Sequence, residues 1–363
     1  MKSYRAVIIG AGGISDAHVQ ALNRSKDRVE IIAAADIDEA RVKSFCQQHN
    51  IPRWFTNAKE MLSVTQPDLV HIATPPESHC ELAIASLDAG AWVYCEKPLC
   101  ISLAEFDRIT QAESRTRRYV STVFQWRFGS AAKHLKRLID SGDMGCPLVG
   151  VCQTLWYRGL GYYQLPWRGK WTTETGGVAA IMGIHLTDLF LWLMGNWQEV
   201  QATVGTLDRP IEVENVAMAL VRFENGAMGS IASSAVSPRQ ESYLRLDFQR
   251  ATVDVTGVYG YSNANWRYSI FDDSTDQEAL ARWKTIEQDV ASSHTAQVAE
   301  LLDSMDGNER PFVSGAEARR ILEFLASMYK SAFTGEAVRC GSITPDDPFY
   351  HSMNGSPQPV KRT

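Results

Sequence analysis

The sequence predicts an α/β protein in two parts: a doubly wound parallel sheet over about the first 120 residues, then an α+β remainder with a mostly antiparallel sheet. Three observations carry this. Short apolar runs alternate with stretches of helical spacing as far as Cys95, the pattern of parallel βαβ units. From Gln198 to Val258, strand-like runs follow one another with turn signals between them. The length of 363 residues suits two domains rather than one.

Taken in order, Tyr4 to Ile9 forms an apolar run that ends in a glycine cluster, and Ile14 to Leu22 has helical spacing. Val29 to Ala35 is a second strand ending at Asp36, and Glu39 to His49 a helix. Asp68 to Ala73 is a third strand, stopped by Pro75 and Pro76; Ser78 to Ala89 is a helix closed by Gly90, and Ala91 to Cys95 a fourth strand. After Val120 the texture changes. A helix from Ala131 to Ser141 leads into Leu148 to Tyr157, and a Gly/Trp-rich loop runs to about Gly177. A helix follows from about Val178 to Met194, then five strand-like runs, two of them joined by Asn225-Gly226. Helices near Ser293 to Met305 and Ala316 to Ala332 close the chain.

Composition excludes several classes. With 45% hydrophobic residues and no low-complexity tract, the chain is neither disordered nor fibrous. Apolar runs such as Leu189 to Met194 are too short to span a bilayer, so no membrane partner is expected. A net charge of -6 gives no footprint for nucleic acid. Seven cysteines without a C-x-x-C pair, and no secretory signal, point to reduced thiols in the cytoplasm and to no metal site. There are ten tryptophans, seven of them beyond residue 150.

Gly10-Ala11-Gly12-Gly13-Ile14 lies between the first strand and the first helix, where a dinucleotide fold seats its pyrophosphate. Gly10 allows the tight turn, and Gly12 lets the backbone approach the phosphates. The third glycine of the usual pattern is Ser15. Asp36, 21 residues after Ser15 at the end of the second strand, can accept both adenosine ribose hydroxyls and would repel a 2'-phosphate. NAD is therefore expected in preference to NADP, with Arg41 the one nearby cation that argues the other way. Glu96-Lys97-Pro98 follows the fourth strand, at the carboxyl edge where open α/β sheets bind ligands. An ammonium there is placed for proton transfer beside a nicotinamide; the other reading is a solvated loop pair.

These motifs bring a resemblance. The glycine loop with His18, Ala73-Thr74-Pro75-Pro76 with His79, Glu96-Lys97-Pro98, and Gly176-Gly177 through His185-Leu186-Thr187-Asp188 resemble the glucose-fructose oxidoreductase / inositol dehydrogenase / MocA family, in order and over nearly the whole chain. The resemblance implies a Rossmann domain over residues 1–122 and a substrate and oligomerisation domain over 123–363, whose C-terminal helix packs back on the first. It implies a large open sheet in the second domain, used for a homodimer or homotetramer. It also implies hydride transfer between nicotinamide and a secondary alcohol carbon of a sugar, cyclitol or related polyol. By the same analogy Gly10, Gly12, Gly13, Ile14, Asp36, Thr74, Pro75, His79, Glu96 and Lys97 hold the cofactor. Lys97 touches the substrate too.

His185 is the candidate base, with Asp188 three residues on and Ile181 four before. Residues four apart share a helical face, so family members with Asp at the position of Ile181 have a carboxylate to orient the histidine. This chain lacks it, which leaves Asp188 or a water to do so and shifts more of the proton transfer to Lys97. Without the resemblance, His185 reads first as a core histidine, since a lone histidine on an apolar helix face is more often a satisfied core residue. Gln125 and Arg127 open the second domain, and Arg127 is the first choice for a substrate hydroxyl; Trp167 and Arg168 follow from the aromatic loop Trp156 to Trp171. Flat aromatic walls suit sugar C–H faces, but such rings also pack junctions and interfaces. Two other functions stand beside the dehydrogenase: glycoside cleavage through transient C3 oxidation on tightly held NAD, and a nicotinamide-binding sensor without turnover.

Overall fold

Strands whose side chains are apolar on both faces make the first of two compact units. They are β1 (Tyr4–Ile9), β2 (Val29–Ala35), β3 (Trp54–Phe55), β4 (Leu69–Ile72), β5 (Trp92–Cys95) and β6 (Val120–Thr122). All pair in parallel, in the order β3-β2-β1-β4-β5-β6. Every residue of β4 and β5 is buried, as expected of strands covered on both faces by helices. The computed structural model describes residues 3–271 and 277–356. Four elements of this unit escape the periodicity reading: β3, only two residues long, β6, the eight-residue helix Ala58–Thr65 capped by Asn57, and the helix Leu103–Thr116 capped by Ser102.

The first unit is discontinuous. It comprises the residues up to Val123 together with His294–Arg320, so a single cut after residue 122 does not describe it. The segment that returns is the helix His294–Gly307, whose Val298, Leu301, Leu302 and Met305 join Val19 and Leu22 in one core. Tyr4 donates to Asp306 at 2.7 Å and Arg28 pairs with Asp303 and Asp306 at 2.8 Å, tying the same helix to β1 and the turn before β2.

The second unit contains Phe124–Ser293 and the residues from Ile321 on. Its strands are β7 (Pro147–Tyr157), β8 (Trp197–Gly205), β9 (Val216–Phe223), β10 (Met228–Ser234), β11 (Val236–Phe248), β12 (Thr252–Gly257), β13 (Trp266–Ser269) and β14 (Val338–Arg339). They form one open sheet in the order β13-β12-β11-β7-β10-β9-β8-β14. Only the β10–β7 pair is parallel. The Asn225-Gly226 turn joins β9 to β10, as its sequence predicts.

The helix Ile184–Met194 is buried throughout and lies on this sheet. Gly150 on β7 and Gly229 on β10 let it approach, because a Cβ at either would stand 2.3 or 2.5 Å from the Phe190 ring. The apolar run extends well beyond Leu189 to Met194. Trp171–Met194 is long and apolar enough to cross a membrane by length and composition, yet its most apolar window is wholly buried, as in a core helix. The turn that enters the helix, Ala179–Gly183, is a π-helix rather than an α-helix.

Candidate functional site

In the first unit the cofactor candidates all follow carboxyl ends of parallel strands: Gly10 follows β1, Asp36 β2, Thr74 β4 and Glu96 β5. The strand order reverses between β1 and β4, which is where such sheets open a crevice. Gly10 has φ +98°, and a Cβ there would lie 2.6 Å from the Ala73 carbonyl oxygen. At Gly12 and Gly13 an added Cβ would meet no protein atom. These two glycines therefore leave an open cradle at the start of the helix Ser15–Arg24, where N–H groups and the helix dipole favour a pyrophosphate. Ser15, in place of a third glycine, is buried and donates its hydroxyl to the Gly10 carbonyl at 2.8 Å. Ile14 is exposed beside the loop. The Asp36 carboxylate accepts from the Ala11 and Asp38 N–H groups at 2.8 and 2.9 Å and from Arg41 at 3.2 Å. The chain's own carboxylate thus occupies the one nearby cation.

Thr74 and His79 lock the next two loops together. The His79 ring nitrogens lie 2.8 Å from the Thr74 carbonyl and 2.8 Å from the Pro98 carbonyl, while the Thr74 and Ser78 hydroxyls meet at 2.7 Å. Pro75 is half-buried on this turn.

Glu96 is held by a buried group that the sequence reading did not assemble. Its Oε1 accepts from His18 Nε2 at 3.2 Å and from His294 Nε2 at 3.1 Å, and its Oε2 from the Lys97 N–H at 3.2 Å. Burial alone would raise the Glu96 carboxyl; the two imidazole donors outweigh it and hold the group well below the usual carboxylate range. With His18 Nε2 donating, its Nδ1 accepts from His71 Nδ1–H at 3.0 Å. Burial pushes His18 and His71 down, so this chain of rings is neutral and ends on the Glu96 anion. His18, Glu96 and His294 offer their atoms within 4.8 Å of one another, the grouping of a metal site, but the two nitrogens sit at hydrogen-bond distance on one oxygen. The signal for His18 was a polar residue on an apolar helix face; nothing local marks His294.

In the second unit, Gln125, Trp126 and Arg127 share a buried 3-10 turn, Gln125–Phe128. Arg127 forks onto Asp188, Nε to Oδ2 at 2.7 Å and Nη2 to Oδ1 at 2.5 Å, with both side chains buried. Asp188 therefore faces a guanidinium with both oxygens. His185 packs on two rings: Trp126 at 5.3 Å between centroids and 31° between planes, and Tyr259 at 5.6 Å and 86°. The π-turn also changes the spacing argument, because the i to i+4 alignment of Ile181 with His185 presumes α-helical geometry through Ala179–Gly183.

Trp167 and Arg168 form a group of their own. The Arg168 guanidinium lies 3.8 Å from the Trp167 ring and 4.2 Å from the Tyr162 ring, and it pairs with Glu174 at 2.7 Å. Trp156 and Trp171 are packing residues in their unit: their indole N–H groups donate to Ser242 Oγ and to the Glu212 carbonyl, each at 3.0 Å. Glu214 clamps the entry to the His185 helix, accepting from Gly177 N–H at 2.8 Å, Ala179 N–H at 3.1 Å and the Tyr329 hydroxyl at 2.8 Å. Glu214 and Tyr259 are the two residues here that sequence reasoning missed.

Residues 4–124 match the profile of the oxidoreductase family with an NAD-binding Rossmann fold, and residues 132–260 that of the GFO/IDH/MocA C-terminal domain. The chain is 26% identical over 375 aligned positions to a D-apiose dehydrogenase of Paraburkholderia graminis, covering 98% of this chain and 94% of that one. It is 31% identical over 147 positions to an inositol 2-dehydrogenase of Salmonella typhimurium, covering 40% of this chain and 44% of that one. Among solved structures, the WlbA dehydrogenase of Chromobacterium violaceum, in complex with NADH and UDP-GlcNAcA, superposes with a TM-score of 0.84 at 27% identity, over 95% of this chain and 98% of that one. The open cradle at Gly12 and Gly13 and the Asp36 carboxylate at the end of β2 fit the NAD that this family binds. The chain belongs to the GFO/IDH/MocA family of NAD-binding oxidoreductases.

Proposed function

We propose that this enzyme moves a hydride between nicotinamide and a secondary alcohol carbon of a sugar, cyclitol or related polyol. The observation that carries the reading is that the open cradle Gly10 to Gly13 after β1 and Glu96-Lys97 after β5 lie on the same carboxyl edge of one parallel sheet. The named substrates of the relatives, D-apiose and inositol, support the polyol class. Bound NAD supplies the hydride acceptor. Gly12 and Gly13 leave room for its pyrophosphate, Asp36 accepts from its ribose, and Thr74, Pro75 and Glu96 line the nicotinamide end.

Alkoxide character grows on the substrate oxygen as the carbon-bound hydrogen leaves, so a base and a cation there both lower the barrier. Lys97 takes the hydroxyl proton, with His185 sharing the task. Arg127 and Asp188, joined to each other, act by holding the floor under His185, and Gln125 by bracing Tyr259. Trp167 and Arg168 serve as an outer wall for the sugar. Assembly is through the open sheet, where Val149, Met218, Leu220 and Met228 expose apolar side chains on one face of adjacent strands. The seven unpaired cysteines suit a reducing compartment such as the cytoplasm.

The test is turnover on a panel of polyols, sugars and aryl glycosides, following reduced nicotinamide and released aglycone together. Net reduced cofactor supports the reading. Aglycone release without it favours redox-assisted glycoside cleavage, and silence on both favours a sensor. Lys97→Ala should cut turnover about 10²- to 10⁴-fold; activity within about tenfold of wild type would overturn the role given to Lys97.

A further inference from the structure

We infer that Tyr259 is a positioning residue for His185, fixing the imidazole plane together with Trp126. The inference rests on the reading that His185 shares the proton transfer. An imidazole ring rotates in a broad, roughly two-fold torsion, so a histidine that exchanges protons at a defined atom needs a neighbour that sets its plane. A carboxylate commonly does this. Rings packed at fixed angles on an imidazole do so as well.

What surrounds His185 is aromatic. Trp126 lies offset against the imidazole, tilted by 31°, and Tyr259 stands almost perpendicular to it at 86°. Two rings in these orientations oppose rotation about both directions of tilt, and both arrangements are ones that ring quadrupoles favour. Tyr259 is itself braced. Gln125 Nε2 donates to its hydroxyl at 2.5 Å, Trp126 meets it at 5.6 Å between centroids, and Trp156 at 6.1 Å. Tyr261 closes on the other side of Trp126 at 4.8 Å.

Exposure separates Tyr259 from the rest of the group. Gln125, Trp126, His185, Trp156 and Tyr261 are at most 5% exposed, whereas Tyr259 is 51% exposed. It is the one member of the cluster that reaches from the buried histidine to the open surface. It can therefore be replaced without emptying the core, which makes it separable from a purely structural role.

The experiment compares wild type, Tyr259→Phe and Tyr259→Leu in the full-length protein. His185 is observed through its ring carbon-bound proton and ring nitrogens in histidine-labelled samples, assigned by the resonance missing in His185→Gln. Tyr259→Leu should shift the His185 resonance through the lost ring current and lower kcat about tenfold, the effect of losing one ring pair, while KM for NAD stays unchanged. Tyr259→Phe keeps the ring and should retain the wild-type resonance and most of kcat. A His185 resonance unmoved by Tyr259→Leu overturns the positioning role whatever the reaction proves to be. A changed pattern of the His185 ring-nitrogen shifts in Tyr259→Leu, held at the wild-type pattern in Tyr259→Phe, supports it even if no polyol reduces NAD, a result that would count against the proposed function alone; a moved ring proton with unchanged ring-nitrogen shifts is the lost ring current only and overturns it.

Discussion

Glu214→Gln tests how the helix that carries His185 is anchored. Glu214 is fully buried, and burial pushes its carboxyl up from 4.5 to about 7 against the pull of the Ala179, Tyr329 and Gly177 donors. The unfolded carboxyl ionises near 4.5 and the folded one near 7, so between these values the native state keeps a proton the unfolded chain has lost. Stability therefore falls as pH rises from 4.5 to about 7, and above that the loss is complete. Each factor of ten in proton affinity is worth about 1.4 kcal/mol, so the cost of ionising Glu214 in place is about 3 kcal/mol. The amide of Gln does not titrate. It also offers one oxygen for the donors and turns an N–H toward Gly177, which should destabilise the variant by about 1 to 3 kcal/mol at low pH, where Glu214 keeps its proton. The measurement is urea unfolding of both proteins from pH 5 to 8 at fixed ionic strength. The stability gap between wild type and Glu214→Gln should close by up to about 3 kcal/mol as pH rises. Comparing the two proteins cancels every other titrating group. A gap that stays constant within about 0.5 kcal/mol, or that widens, refutes the account of Glu214.

Asp188→Asn leaves the buried Arg127 guanidinium without its anion and should destabilise the protein by about 3 to 5 kcal/mol; Arg127→Met with Asp188→Leu should recover most of that, and a double variant as unstable as the single would contradict it. On the proposed reading Asp36→Ser removes the ribose acceptor, and it leaves Arg41 paired with Asp38 alone. KM for NAD should rise about ten- to a hundredfold while NADP becomes usable, and unchanged selectivity between the two would show that Asp36 does not face the ribose.

The strand-end positions of the dinucleotide candidates were legible because that information is local. Gly10 to Gly13, Asp36 and Glu96-Lys97 each sit one residue or so past a buried strand, and a strand's end can be read from an apolar run and its terminator. The same locality explains what was missed. Glu96 is held by His18 and His294, with His71 behind His18, from a helix, a segment about two hundred residues downstream and a strand, and no periodicity links them. Asp188 shares a helix with His185, but its buried partner Arg127 lies on a separate turn, which spacing along one helix does not reveal. Ile181 was aligned with His185 by an α-helical rule that the π-turn Ala179–Gly183 does not obey. Tyr259 lies in a loop of ordinary composition, and its meeting with Trp126 and His185 depends on how β12 ends, which the pattern does not encode.

The return of His294–Arg320 to the first unit bears on how the chain is made. Domains generally fold as units as they leave the ribosome, the N-terminal one first. Here the segment emerging first lacks part of its own core until Phe124–Ser293 has been synthesised. Through that interval Val19, Leu22 and the buried face around His18 have no cover from Val298 and Leu301, and Glu96 has one imidazole donor instead of two. The nucleotide-binding unit is thus the first begun and among the last finished. A fragment ending at residue 123 would be expected to need either the missing helix supplied in trans or a chaperone to stay in solution.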